Sequence, residues 1–273
     1  MKDKNYSYLF AGRFSASCKQ FIDYKRSLGF KICEPYCHRL WEMDKHFSEY
    51  LPEDKVLLIT KNMVEAYVAL RENESVKTQH LRMSTVRQFA LFMNRIGYDF
   101  YVYPETAFVR IKEDFIPYIL THDEVGKLAE VLDQILYSPR YPRQHLVYPM
   151  LFRMLYGCGL RLNEALSLKV QDLDVAQGLI FLSNTKNQGQ RLVPMSDSLK
   201  KYCRKYILAM EFGEGYDGYF FPSGYRNSHS TDHLSGTAAY FRLRGFMNQA
   251  GIYKEDGKPP CVHDLRYPNL NKI

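Results

Sequence analysis

Apolar side chains along the first 110 residues recur every three or four positions, the spacing of amphipathic helices. The pattern predicts four helices, which begin near Phe14, Pro35, Thr60 and Val76. Loops between them are short. Four helices with short loops form a small helical domain.

Beyond residue 117 the pattern predicts further helices and one pair of strands. A capping box opens a helix at Thr121. Residues 142–156 are nearly all apolar and predict a buried helix, bent or restarted at Pro149. Residues 179–182 and 191–193 lack the helical period and predict the two strands of a β-hairpin, with further helices after it.

Between these halves, residues 98–117 have no helical period and contain two prolines. Such a stretch is typical of an interdomain linker. We therefore predict two domains, residues 1–110 and residues 111–273. The expected fold class is mainly α with a small β-hairpin or sheet, which lies in the second domain.

The net charge indicates the class of partner, and the apolar runs and cysteines indicate the expected location. The 273 residues carry a formal net charge of +7, with a sequence pI near 8.9, which suits a polyanion. No run of about eighteen apolar residues predicts a membrane span, and no apolar leader opens the chain. Six scattered cysteines are typical of reduced thiols, so a cytoplasmic location without membrane association is expected. Cys33, Cys37 and His38 suggest a metal site only weakly, because no second ligand pair follows.

The most informative stretch contains Gly157, Gly159, Arg161 and Glu164. The glycines permit a tight turn, and Arg161 then stands where a short helix begins, a natural place to hold an anion. Glu164 lies one turn further and can bond the guanidinium. On these residues alone, a surface helix with an ordinary ion pair explains the stretch equally well.

Two later motifs favour the anion-binding interpretation of this stretch over an ordinary ion pair. Thr185-Lys186 with Arg191-Leu-Val-Pro194 resembles the β-hairpin that carries the catalytic lysine of tyrosine recombinases, the phage integrase family. His263-Asp-Leu-Arg266 resembles that family's His-x-x-Arg box, and the turn at Arg161 resembles its first active-site box. The three motifs occur in the family's order. The resemblance implies a helical core-binding domain followed by an α+β catalytic domain.

The chemistry of these side chains suits a phosphodiester. Arg161 and Arg266 would clamp two non-bridging oxygens and stabilise the charge on a five-coordinate phosphorus. His263, three residues before Arg266, could donate a hydrogen bond or move a proton. The resemblance implies that Lys186 protonates the leaving 5′ oxygen, with Lys169 and Arg191 as the nearest competitors for that role. No metal or other cofactor is required, since the arginines supply the positive charge.

Basic residues elsewhere are candidates for contact with DNA. Lys77, Arg82 and Arg87 lie on the predicted fourth helix, and Arg191 lies on the hairpin. Lysines and arginines on one face supply the sequence-independent part of DNA affinity, although a solvated helix face looks the same. The expected partner is double-stranded DNA, with a possible homo-oligomer on it and no small-molecule substrate.

The resemblance stops after the His-x-x-Arg box. The family's nucleophilic tyrosine follows further along and forms a phosphotyrosyl ester with DNA. The sequence ends seven residues after Arg266, and Tyr267 is the only tyrosine in that tail. A residue adjacent to Arg266 faces another side of a helix. A C-terminally truncated recombinase that lacks its nucleophile is therefore expected.

Other function classes stay open on the sequence alone. The chain could be a non-catalytic DNA-binding or regulatory module, or a degenerate remnant without function. A metal-independent phosphatase or nuclease with Arg161 as its anion anchor is the alternative from another class, and the sequence shows no nucleophile for it.

Overall fold

The computed structural model describes residues 10–51, 57–111, 116–183, 189–213, 215–223 and 232–266. The chain divides into two compact units, unit 1 (Met1–Asp114) and unit 2 (Phe115–Ile273). The sequence placed this division between residues 110 and 111. The described residues are mainly helical and include one three-stranded antiparallel sheet, so the predicted fold class is confirmed.

The helices described in unit 1 begin where the sequence predicts them. Capping explains two of these starts, because the hydroxyls of Thr60 and Ser75 accept hydrogen bonds from backbone N–H groups in the first turn. The four helices are α1 (Ser15–Ser27), α2 (Glu34–Ser48), α3 (Lys61–Val68) and α4 (Val76–Arg95).

Aromatic rings form the centre of unit 1. The ring of Phe14 meets those of Phe47, Phe89 and Phe100 edge-on, with centroids 6.2, 6.3 and 5.8 Å away. Phe100 belongs to the stretch predicted as a linker, yet it is fully buried. The side chain of Asn94 holds it by bonding both its N–H and its carbonyl. The beginning of the predicted linker is therefore part of the core of unit 1, and that prediction is wrong there.

Arg82 occupies the core of unit 1 and does not lie on a DNA-contact face, which corrects its prediction as a DNA-binding residue. Its side chain is 1% exposed. The guanidinium bonds the carboxylate of Glu74, 2.8 Å from Nε to Oε1, and the backbone carbonyls of Tyr67 and Ala69. All of its nitrogens are thereby occupied within unit 1, where they hold the connection between α3 and α4.

The other two candidates on α4 differ from Arg82. Lys77 is exposed in the first turn of the helix. Arg87 is half-buried and donates to the carbonyl of Tyr103 at 2.8 Å, with Glu105 3.7 Å away. Arg87 thus anchors the segment that follows α4, and Lys77 remains a candidate for contact with DNA.

Unit 2 combines helices with the small sheet. The predicted capping box at Thr121 is confirmed, and one helix continues through Pro149. Its helices are α5 (His122–Asp133), α6 (Gln144–Cys158), α7 (Leu162–Leu166), α8 (Asp197–Ala209) and α9 (Gly236–Gln249), and its strands are β1 (Leu173–Asp174), β2 (Leu179–Leu182) and β3 (Arg191–Pro194). Short 3₁₀ helices span Val170–Asp172 and Val262–Arg266.

The sheet has the order β1-β2-β3 with antiparallel neighbours. Leu182 pairs with Arg191 and Ile180 with Val193, and the side chains of Ile180, Leu182 and Val193 enter the core of unit 2. Strand β1 was not predicted, because two residues leave no readable period. Among the described residues, no helix has the length and apolar character needed to cross a bilayer.

Replacing Arg82 should strongly destabilise unit 1. In Arg82→Met, the carboxylate of Glu74 and two carbonyls lose their partner while still buried, which costs about 3–5 kcal/mol. Trp41 is the only tryptophan and lies in unit 1, so its fluorescence during urea unfolding reports on that unit. Lys77→Met, an exposed change on the same helix, should alter stability by less than about 0.5 kcal/mol. Equal stability of the two variants would contradict this account.

Candidate phosphate-binding site

The site begins at the turn between α6 and α7. Helix α6 ends at Cys158, and Gly159 follows with a φ of +59°, a left-handed conformation that glycine adopts without strain. Arg161 then has extended backbone angles, and α7 starts at Leu162. The local sequence therefore brings the arginine to the start of a short helix, as its glycines and apolar spacing predict.

Glu164 connects this turn to the sheet. Only 5% of its side chain is exposed. One carboxylate oxygen accepts from the guanidinium of Arg161 at 2.7 Å, and the other from the backbone N–H of Arg161 at 2.8 Å. The second oxygen also accepts from the guanidinium of Arg191, on β3, at 2.8 Å. One buried carboxylate thus holds two arginines.

The electrostatics of this cluster keep Glu164 ionised. Burial by itself would raise the pKa of the Glu164 carboxyl. Hydrogen bonds from the backbone and side chain of Arg161, together with the charges of Arg191 and Arg161, outweigh burial and hold the pKa below its ordinary value of 4.5.

Arg266 lies at the same turn. It ends the 3₁₀ helix Val262–Arg266, and its Nε donates to the carbonyl of Gly159 at 2.6 Å. Gly159 is two residues before Arg161 along the chain. A single hydrogen bond therefore joins the His-x-x-Arg motif to the Gly-x-Gly-x-Arg turn, although 107 residues separate the two bonded positions.

Asp264 fixes the 3₁₀ helix that carries Arg266. Its carboxylate is buried and accepts from the backbone N–H of Cys261 at 2.8 Å and from that of Tyr118 at 3.4 Å. The first bond closes the start of the 3₁₀ helix, and the second ties it to the chain before α5. The sequence reading missed this role, although the spacing from Cys261 to Asp264 is that of a capping box.

The other predicted site residues differ in where they lie. His263 is exposed and lies three residues before Arg266, so on a 3₁₀ helix the two side chains share one side. Lys186 lies outside the described residues. Arg191 was predicted as a DNA contact, and in the structure its guanidinium forms an ion pair with Glu164. No sequence motif or spacing connects Arg191 with Glu164, because strand pairing brings the two residues together.

The assembled groups are suited to an anion. About 40% of the Arg161 side chain and 39% of the Arg191 side chain stay exposed. Each guanidinium has five N–H donors, so one bond to Glu164 leaves donors for another acceptor. Within the described ranges, no group of three or more His, Cys, Asp or Glu could hold a metal ion. A phosphate or sulfate oxygen matches the donors at this turn.

Solved structures with the same fold include a site-specific recombinase and a transposon integrase. The XerH site-specific recombinase bound to palindromic difH substrate aligns with a TM-score of 0.61 and 18% identity, over 85% of this chain and 66% of that one. The Tn1549 transposon integrase in complex with transposon right end DNA gives 0.62 and 14%, over 92% and 84%. At these identities the likeness concerns the fold.

Sequence comparison then gives the family. Residues 119–268, more than half of the chain, match the phage integrase family model. The chain belongs to this family, and the resemblance read from its three motifs is confirmed.

Two curated relatives show how similar individual members of the family are to this chain. Tyrosine recombinase XerD of Oceanobacillus iheyensis is 31% identical over 144 residues, which make up 52% of this chain and 45% of that protein. Putative integrase/recombinase y4rB of Sinorhizobium fredii is 25% identical over 261 residues, 93% of this chain and 79% of that protein. The chain thus matches less than half of the length of this XerD.

The lowered pKa of Glu164 predicts a pH-dependent contribution to the stability of unit 2. A carboxyl whose folded pKa is depressed stabilises the fold above its unfolded pKa and loses this contribution as pH falls through the folded value. Glu164→Gln should therefore destabilise unit 2 near neutral pH. The difference from the wild type should shrink on acidification below about pH 4, the range of an ordinary carboxyl.

Hydrogen exchange of the α6 amides in urea measures this stability within unit 2. Glu255→Gln, an exposed change in the turn before the last 3₁₀ helix, serves as the control. A destabilisation by Glu164→Gln that stays constant from neutral to acidic pH would rule out the linkage.

Proposed function

We propose that this chain takes part in site-specific DNA recombination by binding and activating a phosphodiester at the turn that carries Arg161 and Arg266. One observation carries the proposal most directly, the hydrogen bond from Arg266 Nε to the carbonyl of Gly159. This bond ties the Arg266 side chain to the turn that carries Arg161, although about a hundred residues separate the two arginines in sequence. Membership of the phage integrase family supports the same reaction class.

Each proposed residue has a role that its chemistry suits. Arg161 and Arg266 bind the non-bridging oxygens of the scissile phosphate and stabilise the charge that grows when the phosphorus becomes five-coordinate. His263 donates a hydrogen bond to the same phosphate or moves a proton. Lys186 protonates the leaving 5′ oxygen. Glu164 supports Arg161.

The reaction conserves the energy of the phosphodiester. A tyrosine oxygen attacks phosphorus, the 5′ oxygen leaves with a proton, and the ester formed is later reversed by a 5′ hydroxyl. Tyr267 is the only tyrosine after the box in the 273 residues, and it lies outside the described residues. Of this reaction, we assign binding and activation of the phosphodiester to Arg161, His263 and Arg266, and we assign the nucleophile to none of the described residues.

Double-stranded DNA is the proposed partner. The net charge of +7 and the exposed Lys77 are consistent with contacts to the DNA backbone. Solved structures of lambda integrase include a dimer bound to a core site and a tetramer bound to a Holliday junction, with the same fold. Assembly of several copies on DNA is part of the proposal.

A second candidate function is a non-catalytic DNA-binding or regulatory role. The described residues supply a phosphate site without an assigned nucleophile, and such a site would occupy DNA without cutting it. The two candidates differ in whether cleavage appears once a tyrosine is supplied.

A nicked duplex that traps covalent intermediates tests the proposal. The 273-residue chain should bind this DNA noncovalently and salt-dependently, and should give no denaturant-resistant adduct. Arg161→Ala should weaken binding by roughly tenfold, about 1.4 kcal/mol, because a charge-assisted phosphate contact is lost. Arg204→Ala, an exposed arginine on α8, is the matched control. Adding a complete recombinase with its own first arginine disabled should restore cleavage.

Three results would contradict parts of this proposal. An adduct that forms with the chain alone and disappears in Tyr267→Phe would make Tyr267 the nucleophile. Equal effects of Arg161→Ala and Arg204→Ala would remove the phosphate site. Failure of the mixed assembly to cleave would leave the non-catalytic role.

A further inference from the structure

Glu164 creates an electrostatic problem for the proposed site. Its carboxylate bonds the guanidinium of Arg161 at 2.7 Å and is almost fully buried. A carboxylate paired with a single arginine neutralises it and repels an approaching phosphate. Low exposure makes this repulsion stronger, since water screens buried charges poorly. An anion site built on Arg161 therefore needs a compensating charge.

Arg191 supplies that charge. Its guanidinium lies 2.8 Å from the Glu164 oxygen that Arg161 does not bond through its side chain. Two guanidiniums on one carboxylate leave a net positive charge on the cluster. The carboxylate accepts hydrogen bonds from both guanidiniums, so both arginines fix its position.

The sheet gives Arg191 a defined position. Its backbone pairs with Leu182 of β2, whose side chain is buried, and Val193 two residues later enters the same core. Arg191 therefore reaches Glu164 from a strand fixed by packing and pairing.

We propose that Arg191 is a positioning residue, which offsets the charge of Glu164 so that Arg161 keeps its direction and its attraction for a phosphate. This inference rests on the proposed function and refines it. Two rival roles make different predictions. As a direct phosphate contact, Arg191 would act independently of Glu164, and as a purely structural residue it would change stability without changing anion affinity.

Titration with inorganic phosphate, followed by NMR of the arginine Nε–H groups, separates these roles in the full 273-residue chain. The signals of Arg161 and Arg266 report the affinity of the site itself. Arg191→Met, which keeps most of the aliphatic stem, should weaken phosphate binding by roughly tenfold. Arg191→Lys should retain most of the affinity, since it keeps the charge. Arg204→Met, the same change at an exposed position on α8, should have no effect on these signals.

The decisive comparison adds Glu164→Gln. A positioning residue acts through the carboxylate it holds, so Arg191→Met should lower phosphate affinity much less in the Glu164→Gln background than in the wild type, with only the weak attraction of a nearby charge left to lose. This pair also provides the test if Arg191→Met alone fails to fold. A loss of affinity from Glu164→Gln to the double variant as large as the loss from the wild type to Arg191→Met would make Arg191 a direct contact and overturn the proposal. Unchanged affinity in Arg191→Met would overturn it as well.

The same titration distinguishes absence of the phosphate site from failure of the inference about Arg191. If the wild type shows no phosphate-dependent shift of Arg161 and Arg266, the phosphate site itself is absent and the role of Arg191 falls with it. If the wild type binds and Arg161→Met does not, the site stands, and the Arg191 comparisons alone decide the inference.

Discussion

The candidate site depends on the buried carboxylate of Glu164. A buried charge is tolerated only when it is paired and hydrogen-bonded, and Glu164 meets this condition through Arg161 and Arg191. The pairing links the turn after α6 to strand β3. The carbonyl of Gly159 links the same turn to Arg266. Three segments that are distant in sequence thus meet at one short turn.

This arrangement explains how loop residues form a precise site. The turn itself is short and half-buried, and a lone arginine on it would sample many rotamers. Helix α6, the sheet and the 3₁₀ helix are each fixed by the core of unit 2. Asp264 holds the 3₁₀ helix by hydrogen bonds to two backbone N–H groups. Hydrogen bonds from these elements to the turn preorganise the arginines for the anion that we propose they bind.

Local signals predicted most of the fold, and long-range pairing limited the rest. The helix starts at Thr60 and Thr121 follow from side chains that bond the first turn, so the sequence carries them directly. Arg82 looked like a solvated arginine because its partner, Glu74, lies outside α4. Arg191 was read as a DNA contact for the same reason, since only the β2–β3 pairing and the position of α7 bring it to Glu164. The motifs predicted Arg161 and Arg266 as site residues, and the bond between Arg266 and Gly159 could not be predicted from their spacing.

The central claim is that Arg161 and Arg266 bind one anion together. A crystal structure of the chain with bound sulfate or phosphate tests it most directly. The account predicts a single anion within hydrogen-bond distance of both guanidiniums, with Glu164 still bonded to Arg161 and Arg191. Anions at separate positions on the two arginines, or an Arg161 side chain turned away from Arg266, would contradict it.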